Sequence, residues 1–155
     1  HGTIPPAPQV AAAIEPQLSA VGFVAADKGV PPATYYQYAA NPANHNQLIS
    51  GGWSPDWIDA SSALGPLLLK AGILGNNLAE NNDPAFEAKF TQIDSMPYGP
   101  ARSAAWEAYA NQYTQTRVPW MTWNQDQEQN LVSTRVGGFS YDPTHLVNMA
   151  TLYVK

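Results

Sequence analysis

The sequence predicts an α/β fold, because helical and strand-like patterns alternate along the chain. Residues 9–21 carry apolar side chains at helical spacing, although Pro16 interrupts them. Gly22 is typical of a helix end, and residues 23–26 follow it as a short predicted strand. A helix, a glycine and a strand in this order are typical of an α/β unit.

The rest of the chain continues this alternation. Asp83 and Pro84 form a typical helix start, and Pro100 opens a second helix. Further helices are predicted over residues 33–40 and 60–70, and polar loops over 41–46 and 75–82. Strands are predicted over residues 48–50, 118–123, 129–134 and 146–154, with a polar hairpin at 124–128 and a turn at 137–138.

The composition is that of a folded chain. Of the 155 residues, 45% are hydrophobic and only 12% are charged, whereas disordered segments are rich in charge. We find no linker and no repeat, so we expect residues 1–155 to form one domain. No apolar run reaches the roughly 20 residues that cross a bilayer, so no membrane span is predicted.

The charge pattern and the missing cysteine exclude several classes of protein. The formal net charge is −5, and seven scattered basic residues cannot form the stripe that nucleic-acid binders use. Without cysteine there is no disulfide, no thiolate metal site and no cysteine nucleophile.

No catalytic motif is present in the sequence. The G-x-S-x-G turn of serine hydrolases is missing, and the glycine pairs lack the other positions of a phosphate-binding loop. Asp56 and Asp59 are three residues apart, but such acidic pairs are common in loops. We therefore expect a protein that is not an enzyme and that needs no cofactor.

The histidines leave one metal-dependent alternative open. An amino-terminal His1 could bind Cu(II) together with His45 or His145, as in copper-dependent polysaccharide monooxygenases. Such an oxidase or monooxygenase is disfavoured, because those proteins are disulfide-braced β-sandwiches. Otherwise the histidines are interpreted as surface loop residues.

Residues 50–59 are the most unusual segment. They combine a glycine pair with Trp53, Asp56, Trp57 and Asp59 directly after a predicted strand. Ligands bind at the carboxyl ends of strands in open α/β sheets, and an aromatic wall with one charge suits an amphipathic cation. The alternative interpretation is that the tryptophans are core residues and that Asp56 caps the next helix.

At this segment the chain resembles the dipeptide- and oligopeptide-binding proteins of ABC importers. Residues 52–59 match the family pattern G-W-x-x-D-x-x-D, and residues 11–22 match A-x-x-I-x-x-Q-L-x-x-x-G. Residues 34–36 are similar to a tyrosine-bearing stretch, residues 81–87 to an N-P-E-F-D helix start, and residues 136–139 and 152–155 to terminal strands.

The resemblance implies a periplasmic-binding-protein-like lobe, with a mixed sheet flanked by helices and closing with carboxy-terminal strands. It implies that Asp56 pairs with the α-amino group of a short peptide or small amine, and that Trp53 lines the pocket. Trp57, Tyr35 and Tyr36 are further candidate lining residues.

The resemblance also implies an extracytoplasmic location, periplasmic or as a cell-surface lipoprotein, and an ABC permease as a partner. Whole members are more than three times longer, so this chain corresponds to their carboxy-terminal part. We expect it to accompany the amino-terminal remainder or to self-associate. The remaining alternative is a repurposed lobe that acts as a protein-interaction module.

Overall fold

The computed structural model describes residues 1–122, 129–142, 144 and 146–155. Helices dominate this part of the chain, and several begin at a proline, whose fixed φ suits the first turn. The α-helices are α1 (Ala7–Ala20), α2 (Pro32–Ala39), α3 (Ser61–Leu68), α4 (Pro84–Asp94) and α5 (Pro100–Arg117). Short 3-10 helices lie at Pro42–Asn44, Lys70–Gly72 and Met149–Thr151.

The strands are short and lie near the carboxyl end. They are β1 (Val136–Gly137), β2 (Tyr141–Asp142), β3 (Leu146–Val147) and β4 (Tyr153–Val154). β1 pairs with β4 and β2 with β3, both antiparallel. Gly138 follows β1 at φ +71°, where a Cβ atom would lie 1.9 Å from the Thr151 carbonyl oxygen, so this turn requires glycine.

The general α/β class and the predicted helices are confirmed, but most predicted strands are wrong. Residues 23–26, 48–50, 118–122 and 129–134 contain no strand, and residue 123 with the predicted hairpin at 124–128 lies outside the described residues. Within the described ranges the strands form two antiparallel pairs, and the one parallel contact is the bridge between Gly2 and Val30. No mixed sheet is therefore present in that part of the chain.

The chain divides into two compact units, and the predicted single domain stays a prediction. The first unit comprises residues 1–52 and 66–84, and the second comprises residues 53–65 and 85–155. None of the described helices is both long enough and apolar enough to cross a membrane.

The core of the first unit is small. Val30, Tyr35 and Ala39 are buried together, and Tyr38, Ile49 and Leu78 pack against them. Residues 49–50 pass this core as irregular chain, and the Tyr35 hydroxyl donates a hydrogen bond to the Ser50 carbonyl.

The second unit has an aromatic core between α4 and α5. Phe86 lies 4.6 Å from Tyr113 and 5.7 Å from Tyr109, and Phe90 lies 5.0 Å from Trp106, measured between ring centroids. The sequence predicted that α4 and α5 each carry three large side chains on one face. These residues are buried or half-buried: Phe86, Phe90 and Ile93 on α4, and Trp106, Tyr109 and Tyr113 on α5. Aromatic packing of this kind adds to the apolar burial that holds the two helices together.

Candidate functional site

The segment that the sequence singles out is an irregular loop, not the tip of a strand. We call residues 53–60 the tryptophan loop; it leads directly into α3. The Trp53 indole N–H donates to the Ser62 carbonyl at 2.8 Å, and the Trp57 indole N–H donates to Ser61 Oγ at 3.3 Å. Both indoles are thus held by the helix that follows them.

Further hydrogen bonds tighten the loop at the start of α3. The Trp57 carbonyl accepts from the Asp59 N–H at 2.9 Å and from the Ser62 hydroxyl at 3.0 Å. Asp59 Oδ1 accepts from the N–H of Ser61, the first residue of α3, at 3.0 Å. Asp56, which the alternative interpretation assigned as the cap of this helix, makes no such contact in the described ranges.

Arg102 on α5 anchors the same carboxylate from the other side. Its Nε donates to Asp59 Oδ2 at 2.8 Å and its Nη2 to Asp59 Oδ1 at 3.0 Å, a bidentate geometry. The guanidinium also donates to Asp94 Oδ1 at 2.5 Å and to the carbonyls of Asp94 and Met96. Arg102 is only 3% exposed, so its charge is buried but well supplied with acceptors.

This network changes the acidity of Asp59. Hydrogen bonds from Arg102, and smaller ones from Ser61, lower the pKa of Asp59 to about 2, although burial acts in the opposite direction. The partner carboxylates Asp59 and Asp94 raise the pKa of Arg102 above its already high ordinary value. Asp59 and Arg102 are therefore both charged at any physiological pH.

Of the predicted site residues in the tryptophan loop, Asp56 and Trp57 are exposed, as are the neighbouring Ser54, Pro55, Ile58 and Ala60. Asp56 is exposed, and no hydrogen bond or ion pair joins it to another residue in the described ranges. Trp57 is 46% exposed, whereas Trp53 is half-buried. The loop therefore exposes the Asp56 carboxylate, part of the Trp57 indole and the apolar side chain of Ile58, while the Trp57 carbonyl is hydrogen-bonded to Asp59 and Ser62.

The two candidate tyrosines belong to the other unit. Tyr35 is a core residue at 8% exposure, its hydroxyl bonds to Ser50, and burial raises its pKa. Tyr36 is 58% exposed and packs edge-on against Tyr35 with ring centroids 5.3 Å apart. Tyr35 is thus a supporting residue, and Tyr36 is free to contact a ligand.

Tyr36 borders a cleft in the first unit that sequence reasoning did not identify. The cleft has a volume of about 390 Å³ and is open to solvent. Its lining combines α2 with the loop after Lys70–Gly72, and it includes Tyr36, Gln37, Asn41, Leu74 and Asn76. Tyr36 was a candidate from the sequence, but no pattern indicated that residues 74–76 would line the same cleft.

The histidines and carboxylates of the described part of the chain do not form a cluster of three or more side chains that could hold a metal ion. The ring of His1 contacts Asp27, with Nε2 at 2.9 Å from Oδ2, and the Gly2 carbonyl and Asp27 both raise the pKa of His1. His45 is exposed at φ +50°, and His145 lies outside the described residues.

The comparisons with known proteins identify no relative. No family model, no curated protein and no solved structure matches this chain. The resemblance to peptide-binding proteins therefore stays a prediction from the sequence.

Proposed function

We propose that this chain is part of a solute-binding protein that holds the amino terminus of a short peptide, or a similar small amine, at the tryptophan loop. The single observation that carries the proposal is that one of the two carboxylates in this loop is paired within the protein and the other is exposed. Asp59 is committed to Arg102 and to the start of α3, while Asp56 stays exposed three residues earlier.

Asp56 is suited to act as the counter-charge of a ligand ammonium group. A carboxylate that already pairs with a protein cation gains little from a second one, but Asp56 has no such partner in the described ranges. The exposed Trp57 indole beside it in sequence supplies a face for an apolar or cationic group.

The loop is also held in place before any ligand arrives. Trp53, Trp57, Asp59 and Ser62 use their hydrogen-bonding groups within the loop and α3, and Arg102 ties Asp59 to α5. A pre-ordered loop loses less conformational entropy when it binds, so more of the contact energy appears as affinity.

The wider assignment follows from the same proposal. The chain would form a periplasmic-binding-protein-like lobe that works with the amino-terminal remainder of its protein and delivers the ligand to an ABC permease outside the cytoplasm. Binding without catalysis accords with the sequence, which offers no nucleophile motif and no paired catalytic acids.

The test compares Asp56→Asn with the unchanged protein by calorimetry, using trialanine as the probe. We expect the substitution to weaken binding by about 1–2 kcal/mol, between the values for exposed and for buried charge pairs. N-acetyl-trialanine, which lacks the ammonium group, should bind the unchanged protein as weakly as trialanine binds the variant.

Glu107→Gln is the matched control, because Glu107 is an exposed carboxylate of the same unit on α5. It removes the same charge and should leave the affinity for trialanine unchanged. Equal affinities of the unchanged protein and of Asp56→Asn, or equal binding of the acetylated peptide, would overturn the proposal.

A further inference from the structure

The cleft beside Tyr36 lies in the first unit and is unlike the tryptophan loop in its chemistry. Each of the described side chains that line it is uncharged: Tyr36, Gln37, Ala40, Asn41, Leu74 and Asn76. A volume of about 390 Å³ lies within the range of small-ligand sites.

One wall of the cleft is supported by the core of its unit. Tyr36 lies on α2 next to Tyr35, and the two rings meet at 73° with centroids 5.3 Å apart. Since Tyr35 is buried and bonded to Ser50, the ring of Tyr36 rests on a fixed neighbour. Asn41 Oδ1 accepts from the Ala43 N–H at 3.1 Å, which leaves its amide group oriented as a donor.

The opposite wall is held by a buried amide network. Asn77 is 2% exposed; its Nδ2 donates to the carbonyls of Leu69 and Asn81, and its Oδ1 accepts from the Asn81 N–H. Asn81 Nδ2 in turn donates to the Leu68 carbonyl at 2.7 Å. These bonds close the loop that carries residues 74–76.

Gly72 makes this closure possible. A Cβ atom there would lie 2.3 Å from the Pro66 carbonyl oxygen, so only glycine permits the approach. Leu74 follows at φ +70° with its side chain 72% exposed, which places an apolar group at the rim of the cleft. An apolar side chain in the left-handed region is uncommon and is tolerated here because both ends of the loop are tied.

The lining groups determine what kind of ligand fits. Primary amides both donate and accept hydrogen bonds, and so does the phenol hydroxyl of Tyr36. Hydroxyl groups of a sugar also do both, and the apolar face of a pyranose ring can lie on Tyr36 and Leu74. An ionic ligand would find no counter-charge among the described lining residues.

We propose that this cleft binds a neutral saccharide, with the sugar ring on Tyr36 and its hydroxyls on the amides of Gln37, Asn41 and Asn76. The site is independent of Asp56 and of the function proposed above. Recognition of the sugar in the first unit depends on stacking and on amide hydrogen bonds and not on charge.

The experiment is an NMR titration of the unchanged protein with cellobiose and maltose, read from saturation transfer to the sugar and from shifts of protein amides. We expect binding, with the largest amide shifts in residues 36–41 and 74–76. Tyr36→Ala should weaken it by about tenfold, since it removes the stacking face, and Tyr36→Phe should weaken it less because the ring remains.

Phe23→Ala is the matched control, because Phe23 is an aromatic residue of the same unit with a similar exposure, 64% against 58% for Tyr36, and lies outside the cleft lining. It should leave sugar binding unchanged. The proposal is overturned if neither sugar binds, if Tyr36→Ala binds as well as the unchanged protein, or if the shifts lie elsewhere. Asp56→Asn should have no effect here, so the two proposed sites fail or succeed separately.

Discussion

Helices α1 and α5 illustrate two ways in which a helical pattern is used in this molecule. α1 belongs to the first unit and has no buried residue, so its apolar stripe is only half covered. α5 belongs to the second unit and buries Arg102, Trp106 and Tyr113. The two sequences both predict helix, yet only α5 lies in a packed core.

The difference lies in what each helix packs against. The apolar side chains of α1 are of moderate size, and Pro16 interrupts its hydrogen-bond ladder. α5 carries large aromatic residues that meet those of α4, and its Arg102 reaches two carboxylates. Because tertiary packing supplies most of the stability of a helix, we expect the second unit to be far more sensitive to substitution.

The largest effect is expected from Phe86→Ala in the aromatic core. Phe86 is fully buried against Tyr109 and Tyr113, so its removal leaves a cavity and should lower the free energy of unfolding by about 3–5 kcal/mol. Urea denaturation followed by circular dichroism measures it. A loss below about 1 kcal/mol would contradict the packing described for α4 and α5.

An intermediate effect is expected from Asp59→Asn, which leaves the buried Arg102 with Asp94 as its remaining carboxylate partner. The melting temperature at pH 7 should fall by roughly 10 °C, because removing one partner of a buried ion pair is costly. The unfolded pKa of Asp59 is near its ordinary value, and the folded pKa is lowered to about 2. Its stabilisation is therefore complete above about pH 4 and is lost as the pH falls through 2.

The pH dependence supplies a second test of the same ion pair. Between pH 4 and pH 2 the unchanged protein should lose more stability than Asp59→Asn, so the difference between their melting temperatures should shrink as the pH falls. A constant difference over this interval would show that Asp59 does not titrate as its contact with Arg102 requires.

The smallest effect is expected from Leu18→Ala on α1. Leu18 is only half-buried, so truncation should cost below about 1 kcal/mol by the same urea measurement. A cost near that of Phe86→Ala would mean that α1 packs like α5 and would remove the contrast between the two helices.

Helices were more predictable from this sequence than strands. Pro84 and Pro100 start helices whose apolar spacing continues for several turns, and such local signals do not depend on distant residues. Residues 118–122 are apolar enough for a strand, but Val118 instead ends α5 in the left-handed conformation. A strand needs a partner for its backbone groups, and none of the described strands pairs with this stretch.

The candidate sites also differ in how far local sequence could predict them. The tryptophan loop could be singled out because rare residue types cluster in eight positions of sequence, and its role as a binding site stays a prediction. The prediction that this loop follows a strand was wrong. The role of Arg102 was missed because Asp59 lies 43 positions away from it in the sequence. The cleft at Tyr36 was missed for the same reason, since its two walls are far apart in the chain.

The amino-acid sequence alone determined the helices, the absence of cysteine chemistry, and the presence of an indole-rich acidic loop, because these depend on composition and on neighbours within a few turns. Only the tertiary structure decided which carboxylate of that loop is occupied by Arg102 and which faces solvent. It also decided that Tyr36 and residues 74–76 line the same cleft. Contacts between distant residues depend on how the chain closes its loops, and no short-range pattern encodes that closure.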